Sequence, residues 1–314
     1  MRALRSSAPV IGVAVVVAFA AVLSSGCEKR PESASQTTTD DPVHETVAWR
    51  AKHEADYTRD WSTIAGLHFL HPGVQTAGSA ATSEVVLPPS VPAAVGRFVL
   101  DGDAVRFEPA PKVDIRLGDQ PVTAPVTLKD DSTKADELTI GTVKIAVHVS
   151  GDRKSLRVWD PQGQQARDFA GFTWFDIQPD YRVVGRFIPD QAPRTMKVVN
   201  TFGDFDNYKT EGVVEFTLQG RVFRLRPFTT RPKRFYFVFK DASSGVETYG
   251  AARFLYSDLR DDRTTVLDFN QAYNPPCSFN PFTTCPIPLP ENRMPVKVLA
   301  GEKQYQGHIA EAGL

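Results

Sequence analysis

The feature that most constrains the fold is the alternation of apolar and polar side chains over residues 213–226, which is interrupted once by Gln219-Gly220. A period of two places every second side chain on one face of a strand, whereas a helix needs a period near 3.6. Two alternating runs around a two-residue glycine turn predict a β-hairpin with one core face and one wet face. The expected cross-strand pairs are Leu218 with Arg221, Phe216 with Phe223, Val214 with Leu225, and, on the wet face, Glu215 with Arg224.

Similar alternation recurs between Gly, Pro and Asp turns along much of the chain. It predicts strands at residues 96–100, 104–108, 113–117, 138–149, 155–159, 235–240 and 248–256. Residues 235–239 are apolar on both faces, which predicts a central strand covered on each side. The 20 Phe and 24 Pro against 3 Met favour sheets with rigid loops. With no repeat, heptad or βαβ pattern, we expect a mainly β, antiparallel sandwich or barrel-like domain with one short N-terminal helix.

Two segments precede this domain. Residues 28–45 are polar and nearly free of large apolar side chains, so they cannot offset the entropy of ordering and are predicted to form a disordered tether. Residues 46–59 carry Val47, Ala48, Ala51 and Ala55 at helical spacing, which predicts one amphipathic helix with a narrow apolar stripe. The 41% hydrophobic content is enough to bury a core, and residues 46–314 are expected to be one folded unit.

The first 27 residues have the layout of an export signal. Arg2 and Arg5 precede an apolar run at residues 8–23, and small residues then lead to Cys27. The apolar run is short for the roughly 20 residues of a bilayer span, so a retained transmembrane helix is the less favoured alternative. We therefore expect cleavage before Cys27, which becomes the mature N-terminus.

Residues 23–27, Leu-Ser-Ser-Gly-Cys, resemble the lipobox of bacterial lipoproteins. The resemblance implies a diacylglyceryl group on the Cys27 sulfur and acylation of the new amino terminus, although the leucine lies one place early and Ser24 stands where an aliphatic residue is preferred. Several acyl chains would anchor the protein without a transmembrane helix. The expected location is the cell envelope, and the Glu28 that follows implies the outer membrane facing the periplasm if the source is Gram-negative.

Charge and motif content exclude several function classes. The 36 basic and 37 acidic residues nearly cancel, so no overall field recruits nucleic acid. Glycine-rich phosphate loops and a nucleophile elbow are missing from the sequence, and His68 and His71 lack a third ligand nearby. We expect no cofactor and no metal. The expected partners are the membrane, through the lipid anchor, and a small polar ligand or envelope component.

The most distinctive stretch is residues 268–277, Asp-Phe-Asn-Gln-Ala-Tyr-Asn-Pro-Pro-Cys. It is followed by Thr284-Cys285-Pro286, Asn292-Arg293 and Ala300-Gly301-Glu302, and preceded by Thr248-Tyr249-Gly250, Arg253-Phe254-Leu255 and Arg157-Val158-Trp159-Asp160. Together these motifs resemble domain of unknown function 1684 (DUF1684), a family of uncharacterised bacterial and archaeal proteins. The resemblance covers most of residues 48–305. It implies a fold and a site more than a function, because the family has no established activity.

Cys277 and Cys285 are the cysteines that remain once Cys27 is lipidated. In an oxidising exported setting they are predicted to form a disulfide, which would stabilise by roughly 2.5 kcal/mol in the chain-entropy model. The alternative is a metal or redox pair. Zinc sites space their cysteines more closely and add further ligands, and redox pairs usually lie two residues apart.

The candidate site consists of polar residues in these motifs. They are Tyr249, Arg253, Asp268, Asn270, Asn274, Asn292 and Glu302. Asp268 and Asn270 would share one face of a strand, and the others could converge with them on a polar ligand. This supports a noncatalytic ligand-binding or interaction module; the alternative is an envelope hydrolase with Asp268 and Glu302 as acid and base. A purely structural interpretation is that Asp and Asn satisfy turn amides while Arg253 pairs with Asp268 or Glu302.

Overall fold

The computed structural model describes residues 41–308. The predicted signal peptide at residues 1–27 and residues 28–40 of the predicted tether lie outside the described residues. Between residues 41 and 308, no helix is both long enough and apolar enough to cross a membrane.

The protein is mainly β, with 45% of the described residues in strands and 14% in helices, which confirms the expected class. The helices are α1 (Pro42–Tyr57), continued by a π-helical turn (Thr58–Ser62), and α2 (Gln164–Asp168); short 3₁₀ turns span Pro179–Tyr181, Phe269–Gln271, Pro276–Ser278 and Pro290–Asn292. The strands are β1 (Ile64–Phe69), β2 (Gly73–Gly78), β3 (Val85–Val86), β4 (Gly96–Asp101), β5 (Ala104–Pro109), β6 (Arg116–Leu117), β7 (Gln120–Pro121), β8 (Val126–Leu128), β9 (Glu137–Ile140), β10 (Val143–Ser150), β11 (Arg153–Trp159), β12 (Arg182–Val199), β13 (Phe205–Leu218), β14 (Arg221–Leu225), β15 (Phe228–Arg231), β16 (Arg234–Phe239), β17 (Arg253–Asp258) and β18 (Thr264–Asp268).

These strands form four sheets. Their orders are β1-β11-β10-β9-β6-β7, β3-β2-β4-β5-β8, β14-β13-β12-β18 and β15-β16-β17. The strand pairs are antiparallel except for the short contact between β2 and β3. Within residues 41–308 each sheet is open, so the barrel-like alternative is wrong.

The hairpin predicted at residues 213–226 is confirmed in its register. All four predicted pairs are observed: Leu218 with Arg221, Phe216 with Phe223, Val214 with Leu225, and Glu215 with Arg224. Both turn residues, Gln219 and Gly220, have positive φ, at 50° and 71°. That is the backbone of a type I′ turn, whose twist matches that of the two strands.

The aromatic strand β16 is central in its sheet, as predicted, and separates two groups of core side chains. Phe235, Phe237 and Phe239 point into one apolar cluster, whereas Tyr236 and Val238 point into another. All five are buried. A strand covered on both faces needs apolar residues at consecutive positions, which explains why alternation is lost there.

The first half of the domain has a core of its own. A cluster of buried side chains runs from Ala77 to Val158 and contains Phe98 and Phe107, while the two clusters around β16 draw on residues from Tyr181 onward. Sheets within residues 64–159 therefore pack on one another, and β12–β18 pack among themselves and against the C-terminal loops.

The other strand predictions were confirmed with some boundary corrections. The predicted strand at residues 138–149 is two strands, because Gly141 (φ 59°) makes a turn between β9 and β10. The predicted strand at 113–117 is reduced to Arg116–Leu117, and that at 248–256 begins at Arg253, because residues before it form turns around Ser243.

The predicted N-terminal helix is present, but the prediction of which face packs against the domain was wrong. Helix α1 begins at Pro42, inside the predicted tether, with Asp41 as its N-cap. The predicted apolar stripe, Val47, Ala48, Ala51 and Ala55, is exposed to solvent. The side that faces the domain instead carries Thr46, Trp49, Arg50, His53 and Tyr57. Alanine offers little apolar area, so aromatic rings and hydrogen bonds determine how this helix docks.

Candidate functional site

Asp268 lies where β18 ends and the following 3₁₀ turn begins. One of its oxygens accepts hydrogen bonds from the backbone N–H of Asn270 (3.1 Å) and from the Asn270 side-chain amide (3.0 Å). The other accepts from the Thr46 hydroxyl on α1 (3.0 Å) and from the Arg182 guanidinium (2.8 Å). Asp268 and Asn270 therefore meet as predicted, but through a cap on the turn and not as neighbours on one face of a strand.

Asn270 also connects two loops. Its side chain accepts from the Gln178 N–H (3.0 Å) and donates to the Gln178 carbonyl (2.9 Å). The carbonyl of Asn270 accepts two hydrogen bonds from Arg50 on α1 (3.2 and 2.9 Å), and the same guanidinium donates to Phe175 (3.0 Å). Helix α1 is thus held to the Asp268 turn by Thr46 and Arg50.

A cleft of about 300 Å³ opens beside this turn; we call it the Asp268 cleft. Its lining includes three acidic and three basic side chains, together with Trp49, Tyr256 and Gln271. The charged residues are Glu45, Arg182, Arg234, Asp258, Arg260 and Asp268. Arg182 bonds both Glu45 and Asp268 at 2.8 Å, and Arg234 pairs with Asp258 at 2.6 Å. The wall of the cleft therefore carries paired acidic and basic side chains next to two aromatic rings.

Arg253 does not take part in that cleft. Its side chain is fully buried, and its Nη1 donates to Asp241 (2.9 Å) and to the Val298 carbonyl (2.9 Å). Asp241 also accepts from the N–H and hydroxyl of Ser243. The expected pairing of Arg253 with Asp268 or Glu302 is wrong, because Asp241, at the end of the neighbouring strand β16, is the carboxylate placed to receive it.

Glu302 is buried in a separate place. It is 1% exposed and accepts a hydrogen bond from the backbone N–H of Asn274 (2.7 Å). Burial raises the pKa of the Glu302 carboxyl to about 8, against lowering contributions from Asn274 and the charge of Arg253. The Asn274 amide donates to the Lys303 carbonyl (2.8 Å). Glu302 does not line the Asp268 cleft, so the two proposed catalytic carboxylates do not share that cavity.

An aromatic cluster lies beneath the middle of α1. His53 stacks on Trp49 with ring centroids 4.7 Å apart, and it contacts Tyr57 and Tyr273 at 4.4 and 4.5 Å. Burial lowers the pKa of His53 to about 4, so the ring is neutral at physiological pH. These contacts make His53 part of the docking face of α1.

The remaining candidates stabilise loops. Tyr249 donates to the Cys277 carbonyl (3.2 Å), and Asn292 bonds the backbone of Arg226 and Val238. Cys277 and Cys285 are free thiols in the structure, and the Cys277 N–H donates to the Cys285 sulfur at 3.4 Å. The predicted pair is therefore adjacent, without a bond between the sulfurs.

The structure thus distributes the seven candidates over five places. Asp268 joins Asn270, Asn274 joins Glu302, and Arg253, Tyr249 and Asn292 each have other partners. Sequence reasoning missed Arg182 and Arg234 in the cleft, Asp241 in the buried pair, and Thr46 and Arg50, which hold α1 to the Asp268 turn. A signal did exist for the helix, because residues 46, 50, 53 and 57 recur at helical spacing and carry polar or aromatic side chains.

Residues 167–303 match DUF1684, a family of proteins of unknown function. The match includes β12–β18 and all seven candidate residues, and it starts later than the resemblance over residues 48–305 had implied. No curated protein matches the chain. The family match brings no activity with it.

Two solved structures illustrate the partial similarity. The solution structure of an uncharacterised protein from Haloarcula marismortui is 29% identical, and the alignment covers 46% of this chain and 82% of that chain with a TM-score of 0.38. The FHA domain of FhaA, in complex with the intracellular domain of Rv3910, is 16% identical, and its alignment covers 29% of this chain and 96% of that chain with a TM-score of 0.21.

Proposed function

We propose that this protein is a lipid-anchored, noncatalytic ligand-binding module of the cell envelope, with the Asp268 cleft as its binding site. The observation that supports the proposal is the hydrogen bonding of Asp268. Its carboxylate lines an open cleft and accepts four hydrogen bonds from the protein itself, two on each oxygen. A carboxylate fixed in this way orients neighbouring groups and has no free lone pair with which to accept a substrate proton.

The hydrolase alternative receives no support from the geometry. A glycosidase-type mechanism needs two carboxyl groups about 5 to 9.5 Å apart on either side of one bond. Asp268 lines the cleft, whereas Glu302 is buried against Asn274 and does not line it. The raised pKa of Glu302 is explained by desolvation inside the protein.

The chemistry of the cleft favours a small polar ligand. Arg182 and Arg234 supply guanidinium donors, Glu45 and Asp258 supply acceptors, and Trp49 and Tyr256 supply aromatic surface. Acidic and basic side chains are equal in number, so a neutral or zwitterionic ligand fits better than a polyanion. The volume of about 300 Å³ is at the small end of ligand pockets.

The binding proposal is tested with the lipidated protein purified in detergent and incubated with a small-molecule extract of the envelope. Bound molecules are released and identified by mass spectrometry. Arg234→Ala removes a cleft donor, and Arg224→Ala removes an arginine from a comparable ion pair on β14, outside the cleft. We expect ligands retained by the wild type and Arg224→Ala to be lost in Arg234→Ala. Equal retention by all three proteins would exclude the cleft.

The catalytic question has its own variant. Asp268→Asn keeps the shape of the side chain and removes its charge. In a screen with chromogenic glycoside, ester and phosphate substrates we expect no turnover by the wild type. Turnover that disappears in a folded Asp268→Asn protein would reject the noncatalytic proposal.

The anchor and the disulfide complete the proposal. Export as a lipoprotein is supported by the layout of residues 1–27, and the outer membrane facing the periplasm is the proposed location in a Gram-negative source. A disulfide is also part of the proposal. The side chains of Cys277 and Cys285 already lie next to each other, and in that oxidising compartment they are proposed to form the bond. Tryptic mapping of protein isolated from the envelope without reductant should recover the peptide that contains both cysteines lighter by two hydrogen atoms and unalkylated, and alkylation of both thiols would exclude the bond.

A further inference from the structure

A second cavity lies beyond the C-terminal end of α1, between the π-helical turn and the sheet that contains β11. Its volume is about 540 Å³. We call it the Arg157 cavity; its lining includes Arg157, Trp61, Trp159, Lys144 and Glu137. It shares no lining residue with the Asp268 cleft and is a separate site.

Arg157 is the unusual residue of this cavity. It is on β11, on the face opposite the core residues Leu156 and Val158, and only 9% of its surface is exposed. Its Nε is buried without a hydrogen-bond partner. Among residues 41–308 its guanidinium also forms no ion pair. Burial lowers the pKa of Arg157, with the negative charge of Asp131 acting in the opposite direction. Arginine nevertheless stays protonated in proteins, so this is a buried positive charge.

The other charges of the cavity are already neutralised. Lys144 bonds Glu137 at 3.1 Å, and Arg59 bonds Asp60 at 2.7 Å. These pairs cancel, which leaves the single positive charge of Arg157 without a counter-charge on the lining. A buried charge is costly unless it is paired, and a guanidinium offers a planar fork that fits a carboxylate through two parallel hydrogen bonds.

Two indoles adjoin the charge. The guanidinium of Arg157 lies 5.8 Å from the centre of the Trp61 ring, and Trp159 is two residues further along the same face of β11. The Trp159 indole N–H is satisfied by the Asp60 carbonyl at 3.0 Å, which fixes that ring at the cavity wall. Flat aromatic walls beside one free cation suit a ring that carries one negative charge.

We propose that the Arg157 cavity is a binding site for a small monocarboxylate attached to an aromatic or sugar ring, with Arg157 holding the carboxylate and Trp61 and Trp159 contacting the ring. A monoanion balances the one unpaired charge, whereas a phosphate dianion would leave the site with one uncompensated negative charge.

The experiment uses the lipidated full-length protein in detergent, with saturation-transfer NMR and calorimetry. The probes are benzoate and glucuronate, each compared with its uncharged counterpart, benzyl alcohol and glucose. We expect at least one carboxylate to bind, with its uncharged counterpart at least tenfold weaker. Arg157→Met should weaken that binding at least tenfold, whereas Arg224→Met, which removes a paired cation on β14 outside the cavity, should change it less than twofold.

A structural role for Arg157 is distinguished by stability. If Arg157 only supports the fold, Arg157→Met lowers the melting temperature. If Arg157 instead serves to bind an anionic ligand, the ligand-free variant melts at the same or a higher temperature than the wild type, because an unpaired buried charge has been removed. Trp61→Leu, which leaves Arg157 in place, should also weaken carboxylate binding. Failure of both carboxylates to bind the wild type, or binding unchanged in Arg157→Met, overturns the proposal.

Discussion

At the scale of single residues, the protein buries ionisable groups whose protonation differs between the folded and unfolded states. Burial raises the pKa of Glu302 from 4.5 to about 8 and lowers that of His53 from 6.5 to about 4. Glu302 therefore binds its proton more tightly in the folded state, whereas His53 binds it more weakly. The two groups have opposite effects on the pH dependence of stability.

The Glu302 contribution is isolated between pH 6.5 and 8 by the difference between the wild type and Glu302→Gln, in which the contribution of His53 cancels. There the folded protein holds a proton that the unfolded chain has lost, so its free energy of unfolding falls as pH rises, by up to about 1.4 kcal/mol per pH unit. We expect Glu302→Gln to remove this slope and to gain stability relative to the wild type toward pH 8. Urea denaturation of both proteins at several pH values measures their free energies of unfolding. Glu137→Gln, at an exposed position, is the control; parallel curves for wild type and Glu302→Gln would contradict the argument.

The buried pair of Arg253 and Asp241 gives a second prediction. Both side chains are fully buried, so removal of one leaves the other as an uncompensated charge. Arg253→Met should lower the free energy of unfolding by roughly 3–5 kcal/mol. The exposed pair of Arg224 and Glu215 provides the comparison, and Arg224→Met should cost about 1 kcal/mol or less. Chemical denaturation checks both values. A similar loss of unfolding free energy in the two variants would mean that the buried pair contributes no more to stability than the exposed pair.

Residue-scale prediction from sequence succeeded where contacts are local. Asp268 and Asn270 are two positions apart, and an Asp that caps a turn bonds the N–H two residues on, so their meeting follows from the sequence. The partner of Arg253 could not be found in this way. Asp241 is 12 positions away, and the turns around Ser243 that place it depend on tertiary packing.

At the scale of elements, helix α1 shows that hydrogen bonds and aromatic contacts can outweigh a small apolar stripe. Thr46 is fully buried and donates to Asp268, whereas the adjacent Val47 is 53% exposed. The expected face was wrong because the pattern was counted by hydrophobicity alone. Aromatic and hydrogen-bonding side chains on the opposite face contribute more contact with the domain.

Adjacent substitutions of nearly equal shape test this docking. Thr46→Val removes one donor from the buried Asp268 carboxylate and should lower the free energy of unfolding by about 1.5–3 kcal/mol. Val47→Thr, the reverse exchange one residue later, should change it by less than about 0.5 kcal/mol. Denaturation monitored by tryptophan fluorescence measures both. An equal effect at the two positions would show that α1 docks through a different face.

At the scale of the whole molecule, the mainly β class and the register of the β13–β14 hairpin were predictable. Both are determined by residues close together in the sequence, through the alternation of side chains and the residues of the turn. The division into four sheets and the separate cores before and after residue 160 were not predicted. These depend on which strands pair across long separations, such as β12 with β18, and single-strand patterns do not specify such partners.

The proposed attachment of this domain to a membrane through acyl chains on Cys27 is tested most directly by mass spectrometry of the mature amino terminus. Protein isolated from membranes of the source organism, or of a bacterial host, is digested and its first peptide analysed. We predict a peptide that begins at Cys27 and carries the mass of a diacylglyceryl group with a further acyl chain, and a Cys27→Ser variant that lacks both cleavage at this site and the lipid. An amino terminus at Met1, or an unmodified Cys27 in the mature protein, would contradict the lipoprotein assignment.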